Sequence, residues 1–349
     1  MKILVTGHHG YIGSVLAPAL ARAGHQVVGL DTFFYRGCDF GASAEPVPAL
    51  DVDVRDVEPR ELDGFDAVVH LAALSNDPVG DLQPDWTYAI NLDASVALAR
   101  AAREAGVQRF VFASSCSMYG AAGDDDLLDE TAPLRPLTPY AESKVRAEEA
   151  ILALSDGSFA PVSMRNATAY GVSPRLRLDV VLNNLVAWAH TTGAIRLQSD
   201  GTAWRPLVHI RDIAAATAAL LEAPAGEIAG EAFNIGTDAQ NYRIRTLAEV
   251  VQRRLPECEI EFAAGASADA RSYRVDFSRF ARTIPSCVLA WTAERGVDEL
   301  ATAYAAEGLA ADALEADRYL RLGRIRKLLE DGSLGDGLRW ADGRDGRHG

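Results

Sequence analysis

Short apolar segments rich in β-branched residues alternate along the chain with longer amphipathic segments. The apolar segments are Ile3–Thr6, Gln26–Leu30, Ala67–Leu71, Arg109–Ala113, Pro161–Arg165 and Ala232–Ile235. Such runs are typical of strands that a parallel sheet buries on both faces. The segments of helical period between them are Ser14–Ala23, Asn91–Ala105, Tyr140–Leu154 and Ile210–Leu221. This alternation predicts an α/β fold of the Rossmann type, in which a doubly wound parallel sheet carries helices on both faces.

The alternation of strand-like and helix-like segments stops after about Gly171, where proline and arginine are frequent, and it resumes over 209–236. The interruption predicts a smaller, discontinuous C-terminal lobe. We expect a Rossmann domain at 1–170 plus 205–240 and the smaller lobe at 171–204 plus 241–340. Leu300–Glu330 is predicted to be largely helical, and the Gly/Asp/Arg-rich end, 341–349, is predicted to be a disordered tail.

The charge balance narrows the class of partner. The 349 residues include 34 basic and 49 acidic side chains, which give a formal net charge of −15. A field of this sign repels nucleic acid and anionic membrane surfaces, so neither is expected as a partner. An anionic small ligand would have to be held by local donors. The chain starts with a predicted strand rather than a basic leader or a long apolar segment, which predicts a cytoplasmic protein.

Neither the cysteines nor the histidines predict a metal site. Four widely spaced cysteines form no CxxC pair; they are Cys38, Cys116, Cys258 and Cys287. This spacing indicates neither a zinc site nor a disulfide framework. His8 and His9 are adjacent, and neighbouring side chains do not easily share an ion. We expect them to line the turn in which they lie.

Glycines recur at three-residue intervals where the first strand meets the first helix, at Gly7, Gly10 and Gly13. In a dinucleotide-binding turn, the first allows the tight turn, the second lets the backbone approach a pyrophosphate, and the third lets helix and strand pack closely. Asp31 ends the second predicted strand, where a carboxylate accepts hydrogen bonds from the adenosine ribose. Because that carboxylate would repel a 2′-phosphate, the sequence predicts NAD rather than NADP.

A second constellation indicates acid–base chemistry. Tyr140 and Lys144 are four residues apart at the start of a helix that Pro139 introduces, so their side chains share one face. An ammonium group near a phenol favours the phenolate, and the sequence therefore predicts that Lys144 lowers the pKa of Tyr140. Ser115 follows the strand Arg109–Ala113, at the edge of the sheet where ligands bind, and its hydroxyl can complete a proton relay.

Several motifs together carry a family resemblance. They are Thr6–Gly13, Asp31, Asp53-Val54, Leu71-Ala72-Ala73, Asn91, Ser114–Gly120 and Pro139–Lys144. With them the chain resembles the extended short-chain dehydrogenase/reductases, and within these the NAD-dependent nucleotide-sugar epimerase/dehydratases, the UDP-glucose/galactose 4-epimerases in particular. The resemblance runs from Met1 to about Arg295. It implies an NAD-binding Rossmann domain, a lobe for a nucleoside-diphosphate sugar, and a homodimer formed through Asp93–Ala105 and Tyr140–Leu154.

The resemblance also implies the site residues. The catalytic triad would be Ser115, Tyr140 and Lys144. The cofactor would be bound by Gly7, His9, Gly10, Tyr11, Ile12, Gly13, Asp31, Asp53, Val54, Leu71, Ala72, Ala73, Asn91, Tyr140 and Lys144. The substrate would be bound by Ser75, Ser115, Cys116, Ser117, Thr168, Asn183, Asn184, Arg205 and Arg271. Arg205 would be the family's phosphate-binding arginine and Arg271 a second cation, since a guanidinium fits phosphate oxygens in a bidentate manner.

The residues beside Ser115 bear on which reaction follows. Sugar 4,6-dehydratases of the family place an Asp-Glu pair after the Ser or Thr, whereas this chain has Cys116 and Ser117. A 4-epimerase needs only the shared groups, so we expect reversible inversion at sugar carbon 4. Alternatives are a 4-keto-sugar reductase, against which Asp31 argues because it disfavours NADPH, and a 3,5-epimerase with Cys116 as acid–base. A non-catalytic dinucleotide sensor would be expected to lack Tyr140 or Lys144. Thr168 and Pro206 stand where relatives often have Asn and Asp.

Overall fold

The apolar segments pair side by side into one sheet. The computed structural model describes residues 1–341 except 44, 76, 124, 125, 264 and 268. Its main sheet consists of β1 (Lys2–Thr6), β2 (Gln26–Asp31), β3 (Ala49–Asp51), β4 (Ala67–His70), β5 (Arg109–Ser115), β6 (Ala160–Asn166) and β7 (Glu231–Ile235). The strand order is β7-β6-β5-β4-β1-β2-β3, and all pairs are parallel. The predicted doubly wound α/β fold is confirmed.

Helices cover both faces of this sheet. They are Gly13–Arg22, Asp77–Leu82, Pro84–Thr87, Ala94–Glu104, Pro139–Leu152, Ile210–Glu222, Ala225–Ile228 and Ser278–Thr283, with a π-helical turn at Tyr88–Asp93. Side chains of β1 alternate between the faces: Ile3 and Val5 join one buried cluster and Leu4 joins another. The first cluster includes residues of the helices Gly13–Arg22 and Ile210–Glu222, whereas the second includes residues of Ala94–Glu104 and Pro139–Leu152.

A third buried cluster lies outside the main sheet. Its helices are Val181–Thr192, Ile244–Arg254 and Ala293–Ala306. Its strands are Thr168–Tyr170, Trp204–His209 and Asn241–Arg243 in one small sheet, and Ala194–Leu197 with Glu259–Phe262 in another. A further pair, Leu127–Leu128 with Arg274–Val275, packs Val275 and Leu128 into the first cluster. Because β7 returns to the main sheet between the elements of this smaller lobe, the lobe is discontinuous in sequence. The exact domain ranges remain a prediction.

The chain end folds back onto the first lobe. After the helix Ala293–Ala306 come the 3-10 turn Ala311–Leu314, the helix Arg321–Glu330 and a hairpin of Leu334–Gly335 with Arg339–Trp340. Leu300–Glu330 is thus helical at both ends with a break between them. The predicted tail, from 342 onwards, lies outside the described residues. Within the part of the chain that is described, no helix is both long and apolar enough to cross a membrane.

The remaining short turns are of the 3-10 type, at Val54–Asp56, Pro59–Leu62, Cys116–Tyr119 and Asp238–Gln240. The turn Cys116–Tyr119 matters most for the site, because it redirects the chain directly after β5. Ser115 is its N-cap, with the side-chain oxygen accepting from the Ser117 amide. The carboxyl ends of the central strands therefore open into a space that the smaller lobe covers.

Candidate active site

A cavity of about 500 Å³ lies at the carboxyl edge of the main sheet, between the sheet and the smaller lobe. In an open parallel α/β sheet this edge is where ligands bind, and the volume is that of an ordinary ligand pocket. Residues that follow β1, β2, β4, β5 and β6 line it from one side, and residues of the segment 177–181 and of the strand Trp204–His209 from the other.

The glycine turn forms one wall of the cavity. Gly7 has a φ of +71°, and its amide donates to the Leu30 carbonyl at 2.8 Å. A Cβ on Gly13 would lie 2.2 Å from the Gly7 carbonyl oxygen, so the helix that begins there packs directly against the turn. The positive end of its dipole faces the cavity and suits a pyrophosphate. Tyr11 and Ile12 also line this wall.

Asp31 lies beside the turn at the end of β2. One carboxylate oxygen accepts from the His9 amide at 3.0 Å and the other from the Phe33 amide at 2.8 Å. A carboxylate has about four lone-pair sites, so acceptor capacity remains towards the cavity for ribose hydroxyls. Burial raises the pKa of Asp31. The residues present therefore fit the adenosine ribose and diphosphate of a dinucleotide.

Other predicted cofactor residues lie along the same cavity. Its lining includes Asp53, Val54, Leu71, Ala72 and Ala73. The Asp53 carboxylate itself is held by the Arg55 backbone amide and guanidinium.

The two histidine rings of the turn point elsewhere. The His8 ring lies against Gly29, where a Cβ would meet it at 2.3 Å. The Arg175 guanidinium contacts the His9 ring, with Nε 3.3 Å from Nδ1, and burial, followed by Arg175, lowers the pKa of His9 to about 3. His9 reaches the site only through its amide. Among the described residues, no group of three or more His, Cys, Asp or Glu side chains could hold a metal ion.

Ser115, Tyr140 and Lys144 meet at the cavity wall, as the sequence predicts. Tyr140 lies in the first turn of the helix Pro139–Leu152, which Thr138 caps by accepting from the Ala141 amide at 3.2 Å. The Ser115 side chain lies close enough to the Tyr140 phenol to lower its pKa, and its oxygen accepts from the Ser117 amide at 3.1 Å. The buried Lys144 ammonium, one helical turn further on, donates to the Ala113 carbonyl at 2.7 Å and lies 4.7 Å from the centre of the Phe112 ring.

The predicted lowering of the Tyr140 pKa is not found. Burial, and then the Asp77 carboxylate, raise the pKa of Tyr140 to about 12, although Ser115 and Arg177 act in the opposite direction. Lys144 donates to the backbone instead of stabilising the phenolate, and burial lowers its own pKa to about 7. Tyr140 is therefore a neutral phenol at pH 7 in this structure.

Two arginines of the cavity lining, Arg205 and Arg271, are both paired with Asp269. Arg205 Nη2 donates to Asp269 Oδ2 at 2.6 Å, and Arg271 Nη2 donates to the same oxygen at 3.2 Å. Arg271 Nη1 also donates to Asp77 Oδ2 at 2.5 Å, while the other Asp77 oxygen accepts from the hydroxyl of Thr138, the cap of the catalytic helix. Asp77 therefore links the predicted phosphate-binding arginines to the helix that carries Tyr140.

The remaining predicted residues divide into two groups. Ser75, Ser117 and Thr168 line the cavity, whereas four buried or half-buried side chains are outside its lining: Asn91, Cys116, Asn183 and Asn184. The Asn91 amide bridges both backbone groups of Leu74. The buried Cys116 thiol donates to the Arg165 carbonyl. Asn183 and Asn184 donate to the backbone carbonyls of Arg177 and Leu178 at 2.9 and 2.8 Å.

Sequence reasoning missed four charged residues of the cavity: Asp77, Arg177, Asp179 and Arg321. The Arg177 guanidinium donates to Asp179 at 2.8 Å and to the Ser75 hydroxyl at 3.0 Å. The arginine-punctuated segment after Gly171 was the available signal for Arg177. For Arg321, which lies about 290 positions after Asp31, the sequence offers no signal.

Comparisons with known proteins agree with this geometry. The model of the NAD dependent epimerase/dehydratase family matches residues 3–236. A UDP-glucose 4-epimerase of Streptomyces lividans is 38% identical over 153 residues, which cover 43% of this chain and only 46% of that relative. A UDP-glucose 4-epimerase of Corynebacterium glutamicum is 32% identical over 270 residues, covering 72% of this chain and 79% of the relative.

Among solved structures, the NAD dependent NDP-hexosamine 5,6-dehydratase TunA, involved in tunicamycin biosynthesis, superposes with a TM-score of 0.78 at 26% identity. The alignment covers 88% of this chain and 99% of that one. The relatives thus include both epimerases and dehydratases. The predicted family and cofactor are confirmed: the chain belongs to the NAD dependent epimerase/dehydratase family, and NAD is its cofactor.

Proposed function

We propose that the protein is an NAD-dependent nucleoside-diphosphate-sugar 4-epimerase that oxidises carbon 4 of the sugar transiently and reduces it again from the other face. The observation that carries this proposal is the meeting of Ser115, Tyr140 and Lys144 in a cavity that Arg205 and Arg271 also line. The first three residues suit the removal of a hydroxyl proton, and the two arginines suit a diphosphate.

Each residue of the cavity has a separate role in the proposed reaction. The Tyr140 oxygen takes the proton of the sugar 4-hydroxyl and later returns it, and the Ser115 hydroxyl, which favours the phenolate of Tyr140, would hydrogen-bond to the reacting oxygens. Lys144, already buried beside them, would hold the nicotinamide ribose and stabilise the phenolate. When bound, NAD would supply a reversible hydride acceptor for carbon 4, and the positive charge of its oxidised ring would favour the phenolate of Tyr140. The diphosphate would take the place of Asp269 as the partner of Arg205 and Arg271.

The carboxylates of the cavity support epimerisation over elimination. Four described lining residues are carboxylates: Asp31, Asp53, Asp77 and Asp179. Asp31 ends β2 and Asp53 follows β3, three and four strands away in the sheet from β5, which carries Ser115. Asp77 is bonded to Arg271 and Thr138, and Asp179 is paired with Arg177. None of them is positioned beside Ser115 as the Asp-Glu pair of the sugar 4,6-dehydratases is, where this chain has Cys116 and Ser117. The burial of Cys116 against the Arg165 carbonyl equally speaks against 3,5-epimerisation.

The finer assignments belong to the same proposal. The predicted cofactor and substrate residues, the two domain ranges, a homodimer and a cytoplasmic location are expectations that accompany it. In the homodimer, we expect contacts through the helices Ala94–Glu104 and Pro139–Leu152, which pack on each other within one chain. Sedimentation equilibrium of the full-length protein tests the dimer.

The proposal is tested by incubating the full-length protein with a panel of UDP- and dTDP-linked hexoses and identifying the products by NMR. We expect an equilibrium mixture of carbon-4 epimers, without net consumption of NAD. Tyr140→Phe should lower turnover by at least about 100-fold, the usual contribution of a positioned acid–base, while NAD stays bound. Tyr88→Phe, which removes a half-buried hydroxyl bonded to Glu142, is the matched control and should retain turnover.

Two results would contradict the proposal. Loss of water from the sugar would assign the protein to the dehydratases of the family. A Tyr140→Phe variant with the turnover of the Tyr88→Phe control would remove Tyr140 from the reaction.

A further inference from the structure

The C-terminal residues 317–341, here called the C-terminal strap, are fastened to the cavity loops that follow β2 and β3. The Trp340 indole donates to the Thr32 carbonyl at 2.7 Å, and its ring centre lies 5.7 Å from that of Phe34. Arg55 donates to the carbonyls of Gly337 and Leu338 at 2.6 and 2.9 Å. Those loops carry the residues expected to hold the adenosine, so the strap braces that end of the cavity.

The strap also contributes a buried cation to the cavity wall. Arg321, the first residue of the helix Arg321–Glu330, is 4% exposed and lines the cavity. Its guanidinium lies 4.0 Å from the centre of the Tyr35 ring, and Nη2 donates to the Arg175 carbonyl at 2.9 Å. Within the described residues, Nη1 is buried without a hydrogen-bond partner, and no carboxylate forms an ion pair with the guanidinium.

A buried guanidinium without an anionic partner is unfavourable in the protein alone. Desolvation of a charge costs several kcal/mol, which a nearby anion or good hydrogen bonds must offset. Burial accordingly lowers the pKa of Arg321. Arg177, the next cation along the wall, has Asp179 as its partner, so it does not share this deficit. The cavity in front of Arg321 is therefore suited to an anionic ligand group.

The neighbours of Arg321 indicate which group that is. The segment that carries the Arg175 carbonyl lies over the glycine turn: the Ser173 hydroxyl donates to the Tyr11 carbonyl at 2.8 Å, and the Tyr11 hydroxyl donates to the Gly171 carbonyl at 2.7 Å. Arg175 itself contacts the His9 ring of the turn. Arg321 is thus supported by the segment that covers the pyrophosphate-binding turn.

We propose that Arg321 is a ligand of the NAD diphosphate and that the C-terminal strap retains the cofactor in the site. Arg321 and the turn before Gly13 line the same cavity, so the diphosphate would be held by both a helix N-terminus and a fork of N–H donors. The assignment rests on the proposed use of this cavity for NAD, but it does not depend on the reaction at carbon 4.

Calorimetric titration of the full-length protein, stripped of nucleotide, tests the assignment with NAD, ADP and adenosine as ligands. Arg321→Gln should weaken NAD and ADP by roughly 10- to 100-fold, the usual effect of losing charge-assisted hydrogen bonds, and leave adenosine unchanged. Arg326→Gln changes the same charge on an exposed position of the same helix and should bind all three ligands as the wild type does. Without nucleotide, Arg321→Gln should unfold at the wild-type temperature or above it, because it removes an unpaired buried charge.

Other outcomes would overturn the inference. Equal loss of NAD, ADP and adenosine binding would make Arg321 a structural residue. A wild type that binds NADP more tightly than NAD, with this preference lost in Arg321→Gln, would assign the arginine to a 2′-phosphate. If Arg321→Gln bound NAD with unchanged affinity, Arg321 would not be a ligand of NAD, and the proposed function would be unaffected. A wild type that binds no NAD would overturn both proposals.

Discussion

Tyr140 has to lose its proton to act as a base, yet its surroundings favour the protonated form. Burial contributes most to the raised pKa, and the Asp77 carboxylate contributes next. The same carboxylate is bonded to Arg271, a proposed ligand of the substrate diphosphate. Asp77 therefore couples the pKa of Tyr140 to Arg271, which would bind the substrate.

This coupling predicts a pH effect of Asp77→Asn. The neutral amide no longer opposes the phenolate, so the pKa of Tyr140 falls. Because a base works above its pKa, the acid limb of the kcat profile should move to lower pH, by on the order of one unit or less. The measurement is kcat between pH 5 and pH 10. Asp85→Asn, an exposed position on the next helix, is the control and should keep the wild-type profile. An unshifted or alkaline-shifted limb in Asp77→Asn would contradict the coupling.

Much of the residue-level site follows from the sequence. Gly7, Asp31, Ser115, Tyr140 and Lys144 are detectable because strand ends and helical spacing bring them to one edge of the sheet. Side-chain contacts are harder to predict from the sequence. Only the structure shows that Lys144 donates to a backbone carbonyl and that Cys116 points away from the cavity. Asp77 and Arg321 could not be predicted, since their partners lie 194 and 146 positions away.

At the scale of elements, the backbone is tightly packed where β1 meets the helix Gly13–Arg22. Six of the seven strands of the main sheet were predictable because both of their faces are buried, which makes their sequences largely apolar. The edge strand β3 was not, since its residues are exposed or half-buried. The smaller lobe was harder to predict from the sequence, because its strands have two to six residues and its core joins distant segments. The helix Arg321–Glu330 also lacked a signal for its position, because its contacts are with loops near the start of the chain.

Gly13→Ala tests this junction. The added Cβ would lie 2.2 Å from the Gly7 carbonyl and 2.6 Å from the His8 Cα, both backbone atoms that cannot yield without moving the turn. We expect the free energy of unfolding to fall by about 1–3 kcal/mol, as overpacking usually does, and NAD affinity to fall with it. Chemical denaturation and NAD titration measure the two effects. Gly226→Ala, whose Cβ would meet nothing within 4 Å, should show neither, and a Gly13→Ala variant that behaves like it would contradict this account.

At the scale of the whole molecule, the net charge of −15 and the proposed anionic ligands are compatible because the positive groups are concentrated. Arg177, Arg205, Arg271 and Arg321 all line one cavity, together with the N-terminal end of a helix. The overall field therefore disfavours polyanions without preventing the binding of two small diphosphates. The two lobes are proposed to divide these ligands, with NAD on the main sheet and the nucleotide sugar beneath the smaller lobe.

The central claim is that the reaction takes place at carbon 4 alone, by removal and return of the same hydride. The most direct measurement is proton NMR of the nucleotide sugars after incubation with the full-length protein in deuterium oxide. We predict carbon-4 epimers that retain every carbon-bound hydrogen, because the hydride never exchanges with solvent. Deuterium at carbon 3 or carbon 5 of the sugar would contradict the claim and assign the reaction to epimerisation through enolisation.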